Sequence, residues 1–422
     1  MISRSTSQSV CGGGDGKRHF HVETISAGID LAWLQQKNPE RYPYLLQSAA
    51  SGTAQGRFDI LFGFPRESIV LDAQFRLNDG RKGDFLDALD MAWRRERVAE
   101  LAPGLPFTGG WFLYLTYELA AQVEPGLRLR TDPGMPVAIA TRIPVAAIND
   151  RKLGRMYLVA ETGHEHCLDQ LSEDLDGGFP EEFSGPLLSG VLQEDPEQIY
   201  LDAVETARRL IYEGDIFQAN LSRQWHGELL PGTNPAQVYR RLCKANPAPF
   251  AGLARWQNHT VISSSPERLL RIANGYAETR PIAGTRPRDH RRMNDSAMRE
   301  ELLGHPKERA EHIMLIDLER NDLGRVCRPG SVEVDEMMSL ESYAHVHHIV
   351  SNVRGRLRED VSPGQVIRAM FPGGTITGCP KVRCMEIISQ LEGAPRGAYT
   401  GSMGYLNRDG SADLNILIRT LV

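Results

Sequence analysis

Strand-like and helix-like segments alternate along this chain without a regular βαβ rhythm, and that irregularity limits the folds open to it. Phe58–Leu61 (FDIL), Ser68–Leu71 (SIVL) and Val137–Ala140 (VAIA) read as strands. Phe85–Glu100 carries apolar residues at helical spacing, and Asp84 is placed to cap its start. Further on, Ile216–Trp225, Thr260–Ser264 and His345–Val353 read as strands. Glu197–Ile211, Asp295–Leu303, Lys307–Leu318 and Val361–Met370 read as helices. Such an order argues for an α+β sandwich rather than a doubly wound parallel sheet. Glu181–Pro196, with its Gly, Pro and acidic residues, reads as a linker, which divides the chain into residues 1–190 and 191–422.

At 422 residues and 41% hydrophobic, the chain has ample material for a large core. Its 48 basic and 54 acidic side chains leave a formal charge of -6. That balance argues against a nucleic-acid or anionic-membrane partner, because phosphate binding needs a clustered basic surface. No apolar run approaches the roughly 20 residues of a membrane helix. The first twenty residues lack the apolar stretch of a secretory signal and read as a ragged terminus. Six dispersed cysteines without a CxxC pair suggest neither zinc nor a disulfide framework, and fit a reducing cytoplasm.

Four stretches set polar groups into apolar surroundings: GDIFQANLS at Gly214–Ser222, SSSPERLL with RPIAGTRPR within Ser263–Arg288, KERAEHIMLIDLERNDLGR at Lys307–Arg325, and FPGGTITGCPKVRCMEII at Phe371–Ile388. Glu308 and Glu311 are three apart and share a helix face. A carboxylate there suits magnesium, although a solvated acidic face paired with Arg309 and Arg320 is the simpler reading of that helix alone. Gly373, Gly374, Thr375 and Gly378 can present backbone N–H groups to an anion, with Lys381 and Arg383 nearby and a helix starting near Pro380. The spacing is not that of a nucleotide P-loop. On a strand, His345 and His347 face one way and His348 the other, so the three do not form one metal site.

In this order the four stretches resemble the chorismate-binding family, which includes anthranilate, aminodeoxychorismate, isochorismate and salicylate synthases. The resemblance is dense from about residue 198 to 422 and looser before it. It implies a sandwich of antiparallel sheets flanked by helices. It implies that Glu311 binds a magnesium ion, Mg2+, which holds the ring carboxylate of chorismate. Glu267 matches the general acid that protonates the departing C4 hydroxyl. His348 matches a histidine beside that hydroxyl. Thr375, with Gly374 and Gly378, matches the substrate-touching loop. Tyr399 and Arg419 match groups that bind the enolpyruvyl carboxylate, Arg419 through its bidentate fork.

Gln218 stands where isochorismate and salicylate synthases resemble one another in carrying a water-activating lysine. A neutral amide resembles the synthases that use ammonia. Two of these remain open. Ala283 stands where many aminodeoxychorismate synthases carry a nucleophilic lysine, and so resembles anthranilate synthase. LLQSAASGTAQGRFDIL, GGWFLYLTYELA, Asn220 and GGTITGCPK lean toward aminodeoxychorismate synthase component I, the expectation adopted. It implies conversion of chorismate and ammonia to 4-amino-4-deoxychorismate for folate synthesis. A separate glutamine amidotransferase subunit would supply the ammonia, since no Cys-His-Glu glutaminase is evident. The family pattern continues past IRTLV with a GAG turn and a second magnesium-binding glutamate. On that count a catalytically weak chorismate-binding protein is a third expectation. Asn246–Phe250 (NPAPF), with the LLQS stretch, resembles the region where relatives bind tryptophan.

Overall fold

The computed structural model describes residues 19–26, 28–49, 56–99, 104–176, 184–288 and 292–422. Most of the expected ragged start, Cys11 and residues 50–55 of the LLQSAASGTAQGRFDIL stretch lie outside them. Within the described residues two antiparallel sheets face one another. The first has eight strands in the order Phe20–Ser26, Arg155–Glu161, Val145–Asp150, Phe58–Gly63, Tyr44–Gln47, Phe250–Trp256, His259–Ser265 and Thr420–Leu421. The second has ten. Its central path runs through Ile282–Pro287, Val346–Arg356, Tyr276–Arg280, Arg268–Ala273, Ala412–Asn415, Ser402–Asn407 and Gly110–Leu115. Both sheets take strands from either side of residue 190.

Alternating side chains explain the layering. Along Phe58–Gly63, Ile60 and Phe62 point between the sheets, whereas Leu61 joins the core on the outer face. Tyr44 of the first sheet stacks on Phe112 of the second at 3.9 Å between ring centroids. Phe62 closes on Phe107 and Phe112 edge to face. Fully burying a side chain of this size stabilises the sandwich by roughly 1.5–3 kcal/mol.

Helices cover the outer faces, as the α+β reading expects. Leu31–Lys37, His166–Leu175 and Pro235–Ala245 pack on the first sheet. Phe85–Glu96, Pro363–Met370 and Pro306–Gly324 pack on the second. Asp84 caps the Phe85–Glu96 helix by accepting from the Asp87 N–H. The Gly304-His305-Pro306 break separates Arg292–Gly304 from Pro306–Gly324, with the His305 side chain capping the latter.

One local expectation differs from the structure. Ile216–Trp225 forms no continuous strand, only the two-residue pieces Gln218–Ala219 and Trp225–His226. The first of these pairs with Gly378–Cys379 instead of joining a large sheet. His347 and His348 are both buried on the Val346–Arg356 strand, His347 against Asp295 of the Arg292–Gly304 helix and His348 against Thr285.

Candidate active site

Glu267 sits where the chain leaves one sheet for the other, between His259–Ser265 and Arg268–Ala273. The crossing is pinned by Ser265, whose hydroxyl donates to the Ile416 carbonyl at 2.5 Å and accepts the Glu267 N–H at 3.2 Å. Glu267 is 5% exposed. Its Oε1 accepts the Thr375 hydroxyl at 2.6 Å, and the nearby Ile282 N–H favours its charged form. Burial pushes its pKa up to about 7, against the pull of those donors and of Arg419. A carboxyl poised there can hold a proton and release it near neutral pH.

His348 enters from the Val346–Arg356 strand, opposite Thr285 in register. Its Nδ1 hydrogen bonds the Thr285 hydroxyl at 2.9 Å, and its buried Nε2 has no hydrogen-bond partner among the described residues. Burial, with the nearby Arg419 cation, pushes its pKa down to about 4, so the ring is neutral at ordinary pH. Gly284 bulges the strand carrying Thr285 at φ +72°, and a Cβ there would lie 2.9 Å from Leu302 Cδ1. Arg419 is exposed, with φ +53°, and donates to Asn246 Oδ1 at 3.0 Å. Its electrostatic effect on Glu267 and His348 places all three in one neighbourhood.

Thr375 is half-buried in the short turn Gly374–Ile376, whose buried Gly374 packs against Leu318 while the preceding Gly373 meets Leu269 and Ile416. Gly378 has φ +136°, and a Cβ on it would fall 2.1 Å from the Gln218 carbonyl. Only glycine lets the Gln218 strand close on this loop. Gln218 then reaches across to the Pro306–Gly324 helix, where its Nε2 donates to Glu311 Oε1 at 3.1 Å. Tyr399 receives a longer contact from Asn220 at 3.4 Å and lies under the Arg396 guanidinium. Lys381 is ion-paired with Asp322 of the same helix that carries Glu311. One N–H of the glycine turn, that of Gly374, is already taken by Glu319 at 3.3 Å.

The structure thus groups Glu267, Thr375, His348 and Arg419, and separately joins Gln218 to Glu311. Thr285, the Ile282 N–H and Glu319 are further members that the sequence reading passed over. A signal for Glu319 was present. His312, Leu315, Ile316, Glu319 and Leu323 recur at helical spacing, and all five are buried. His347 serves the scaffold, bridging Ser342 at 2.7 Å and Asp295 at 2.8 Å.

Among the described residues no three His, Cys, Asp or Glu side chains converge as a metal cage. Glu311 is a half-buried carboxylate, whereas Glu308 is engaged by Arg286 at 3.2 Å. A single such oxygen donor fits magnesium in its common mode, with waters and substrate oxygens completing the shell.

Comparison with known proteins bears on the family. The family model described as chorismate binding enzyme matches residues 43–422. An anthranilate synthase component I-like protein of Synechocystis is 44% identical over 322 residues, covering 75% of this chain and 66% of that protein. Aminodeoxychorismate synthase component 1 of Bacillus subtilis is 38% identical over 353 residues, covering 81% of this chain and 74% of that protein. The crystal structure of anthranilate synthase component I from Streptococcus pneumoniae superposes with a TM-score of 0.78 at 32% identity, over 87% of this chain and 84% of the other. The buried acid at the sheet crossing, the glycine turn that meets it and these likenesses converge: the chain belongs to the chorismate-binding enzyme family.

Proposed function

We propose that this chain is the chorismate-using component of an aminodeoxychorismate synthase, converting chorismate and ammonia to 4-amino-4-deoxychorismate and water. One observation carries the choice of nucleophile. Gln218 presents a neutral amide to Glu311 at 3.1 Å, where activation of water would need a base. Ammonia needs no such base to attack.

In this reading a C–N bond forms at the ring and the C4–O bond breaks. Hydroxide is a poor leaving group, so the Glu267 proton departs with the oxygen as water. Thr375 holds the Glu267 carboxyl in place. Neutral His348 turns its unpartnered Nε2 toward the leaving oxygen, while Arg419 and Tyr399 bind the enolpyruvyl carboxylate. Gly374, Gly378 and Lys381 shape and charge the adjoining turn. A magnesium ion held by Glu311 would supply charge neutralisation for the ring carboxylate. A glutamine amidotransferase partner would supply ammonia in a cytoplasmic setting. No helix among the described residues is long and apolar enough to cross a membrane.

Ala283 supports anthranilate synthase as the second reading. It is buried next to Ile282, whose N–H lies near Glu267, and offers no nucleophile there. Incubation with chorismate, magnesium and ammonium decides between them. A product that yields 4-aminobenzoate after lyase treatment supports the first reading, and direct release of anthranilate and pyruvate supports the second.

A cavity of about 110 Å³ lies beside Gln47, Ser48, Pro249 and Phe250, and is floored by Arg268 and Met403. We assign the expected tryptophan binding to this cavity. Calorimetric titration with tryptophan tests it, and no heat of binding would remove the assignment.

A further inference from the structure

Glu319 is a buried acid that no step above uses. It lies eight residues beyond Glu311 on the Pro306–Gly324 helix and is 3% exposed. Its Oε1 accepts the Gly374 N–H, and its Oε2 is buried without a hydrogen-bond partner among the described residues. Gly374 immediately precedes Thr375, whose hydroxyl meets Glu267. The contact is close: a Cβ on Gly374 would lie 2.4 Å from Leu318 Cδ2 and 3.2 Å from Glu319 Oε1.

Charged groups face Glu319 from three sides. Asp322 lies on its own helix and is ion-paired with Lys381 of the Lys381–Glu392 helix. Glu267 stands across the turn. Asp322 in turn faces Arg325 and Glu124, and Glu267 faces Arg419. Burial pushes the Glu319 pKa well above the usual carboxylate range. Asp322 and Glu267 add to that rise, and Lys381 opposes it. The proton is therefore retained where an exposed glutamate would have lost it.

We propose that Glu319 is a positioning residue for Glu267: it ties down the Gly374 amide so that Thr375 meets Glu267, and as an uncharged acid it leaves Glu267 free to release and recover its proton. The proposal rests on the general-acid reading of Glu267. A second carboxylate at this place would oppose ionisation of Glu267, whereas a carboxylic acid does not. The Asp322–Lys381 pair preserves that state. Without Asp322, the Lys381 cation would draw the proton off Glu319.

The test uses the full chain without substrate, with the Glu267 carboxyl followed by 13C NMR and assigned by Glu267→Gln. Asp322→Asn leaves Lys381 to ionise Glu319, and the new carboxylate moves the Glu267 midpoint to higher pH by about 0.5 or more. The double variant Asp322→Asn/Glu319→Gln returns it to the starting value. A midpoint that does not move in folded Asp322→Asn overturns the proposal. Should that variant not fold, Glu267→Gln reports from the other end, since Glu319 then titrates at lower pH. An unchanged Glu319 midpoint there also overturns it. In turnover, Glu319→Gln keeps kcat near neutral pH within about threefold, whereas Glu319→Ala frees the turn and loses roughly tenfold or more. Equal losses in both would contradict the positioning role. If the midpoints move as stated while the parent chain does not turn over chorismate, the coupling stands and the general-acid reading is what fails.

Discussion

The Thr375 hydroxyl donates to Glu267 Oε1 across 2.6 Å, joining the glycine turn to the point where the chain passes between the two sheets. Glu267→Gln keeps the shape of that contact but removes the transferable proton. Turnover is expected to fall by roughly a hundredfold or more, with chorismate binding retained. Steady-state kinetics and calorimetry together check this. An unchanged rate would remove Glu267 from the general-acid role.

The same carboxyl links stability to pH. Its folded pKa of about 7 lies above the ordinary 4.5, so the folded state binds more protons between those values. The associated stability is fully present below about pH 4.5 and is lost as pH rises through 7. For a gap of this size it is worth on the order of 3 kcal/mol. Urea unfolding at pH 5 and pH 8 should show a smaller difference for Glu267→Gln than for the parent. An equal difference would contradict the burial-driven shift.

His348 stays neutral down to about pH 4, because burial and Arg419 disfavour its charged form. The acid side of the rate profile should therefore show no break near the usual histidine pKa of about 6.5. Thr285→Val frees the Nδ1 side of the ring and should lower kcat, at the cost of about 1 kcal/mol of hydrogen bonding. Rate profiles of parent and variant from pH 5 to 9 test both points.

Arg419→Ala should chiefly raise KM, since the guanidinium binds a carboxylate that does not react. A fall in kcat at unchanged KM would place Arg419 in the chemical step instead.

Ala283→Lys puts an amine beside Ile282, near Glu267. Burial there lowers the lysine pKa and favours the nucleophilic form. Intact-protein mass spectrometry should detect a chorismate-derived adduct in the variant and none in the parent. An adduct in the parent would contradict the role given to Ala283.

Much of the framework was legible in the sequence, because period-2 and helical patterns report burial directly. The Asp84 cap and the break at Gly304-His305-Pro306 fall where local chemistry places them. Ile216–Trp225 misled because an apolar run reports a wish for burial, not the partner that satisfies it. Only the Gly378 approach explains why Gln218 pairs with the glycine loop. His347 is held by Ser342 and Asp295, partners that a strand pattern alone does not name. Lys381 reads from sequence as a free cation near an anion-binding turn. Its partner Asp322 is 59 residues away, a pairing that only the tertiary fold reveals.

The central claim is that this chain aminates chorismate at C4. Product identity by mass and fluorescence, after incubation with chorismate, magnesium and ammonium, tests it most directly. The account predicts 4-amino-4-deoxychorismate, which yields 4-aminobenzoate on lyase treatment. Anthranilate released with pyruvate, in the absence of lyase, would contradict it.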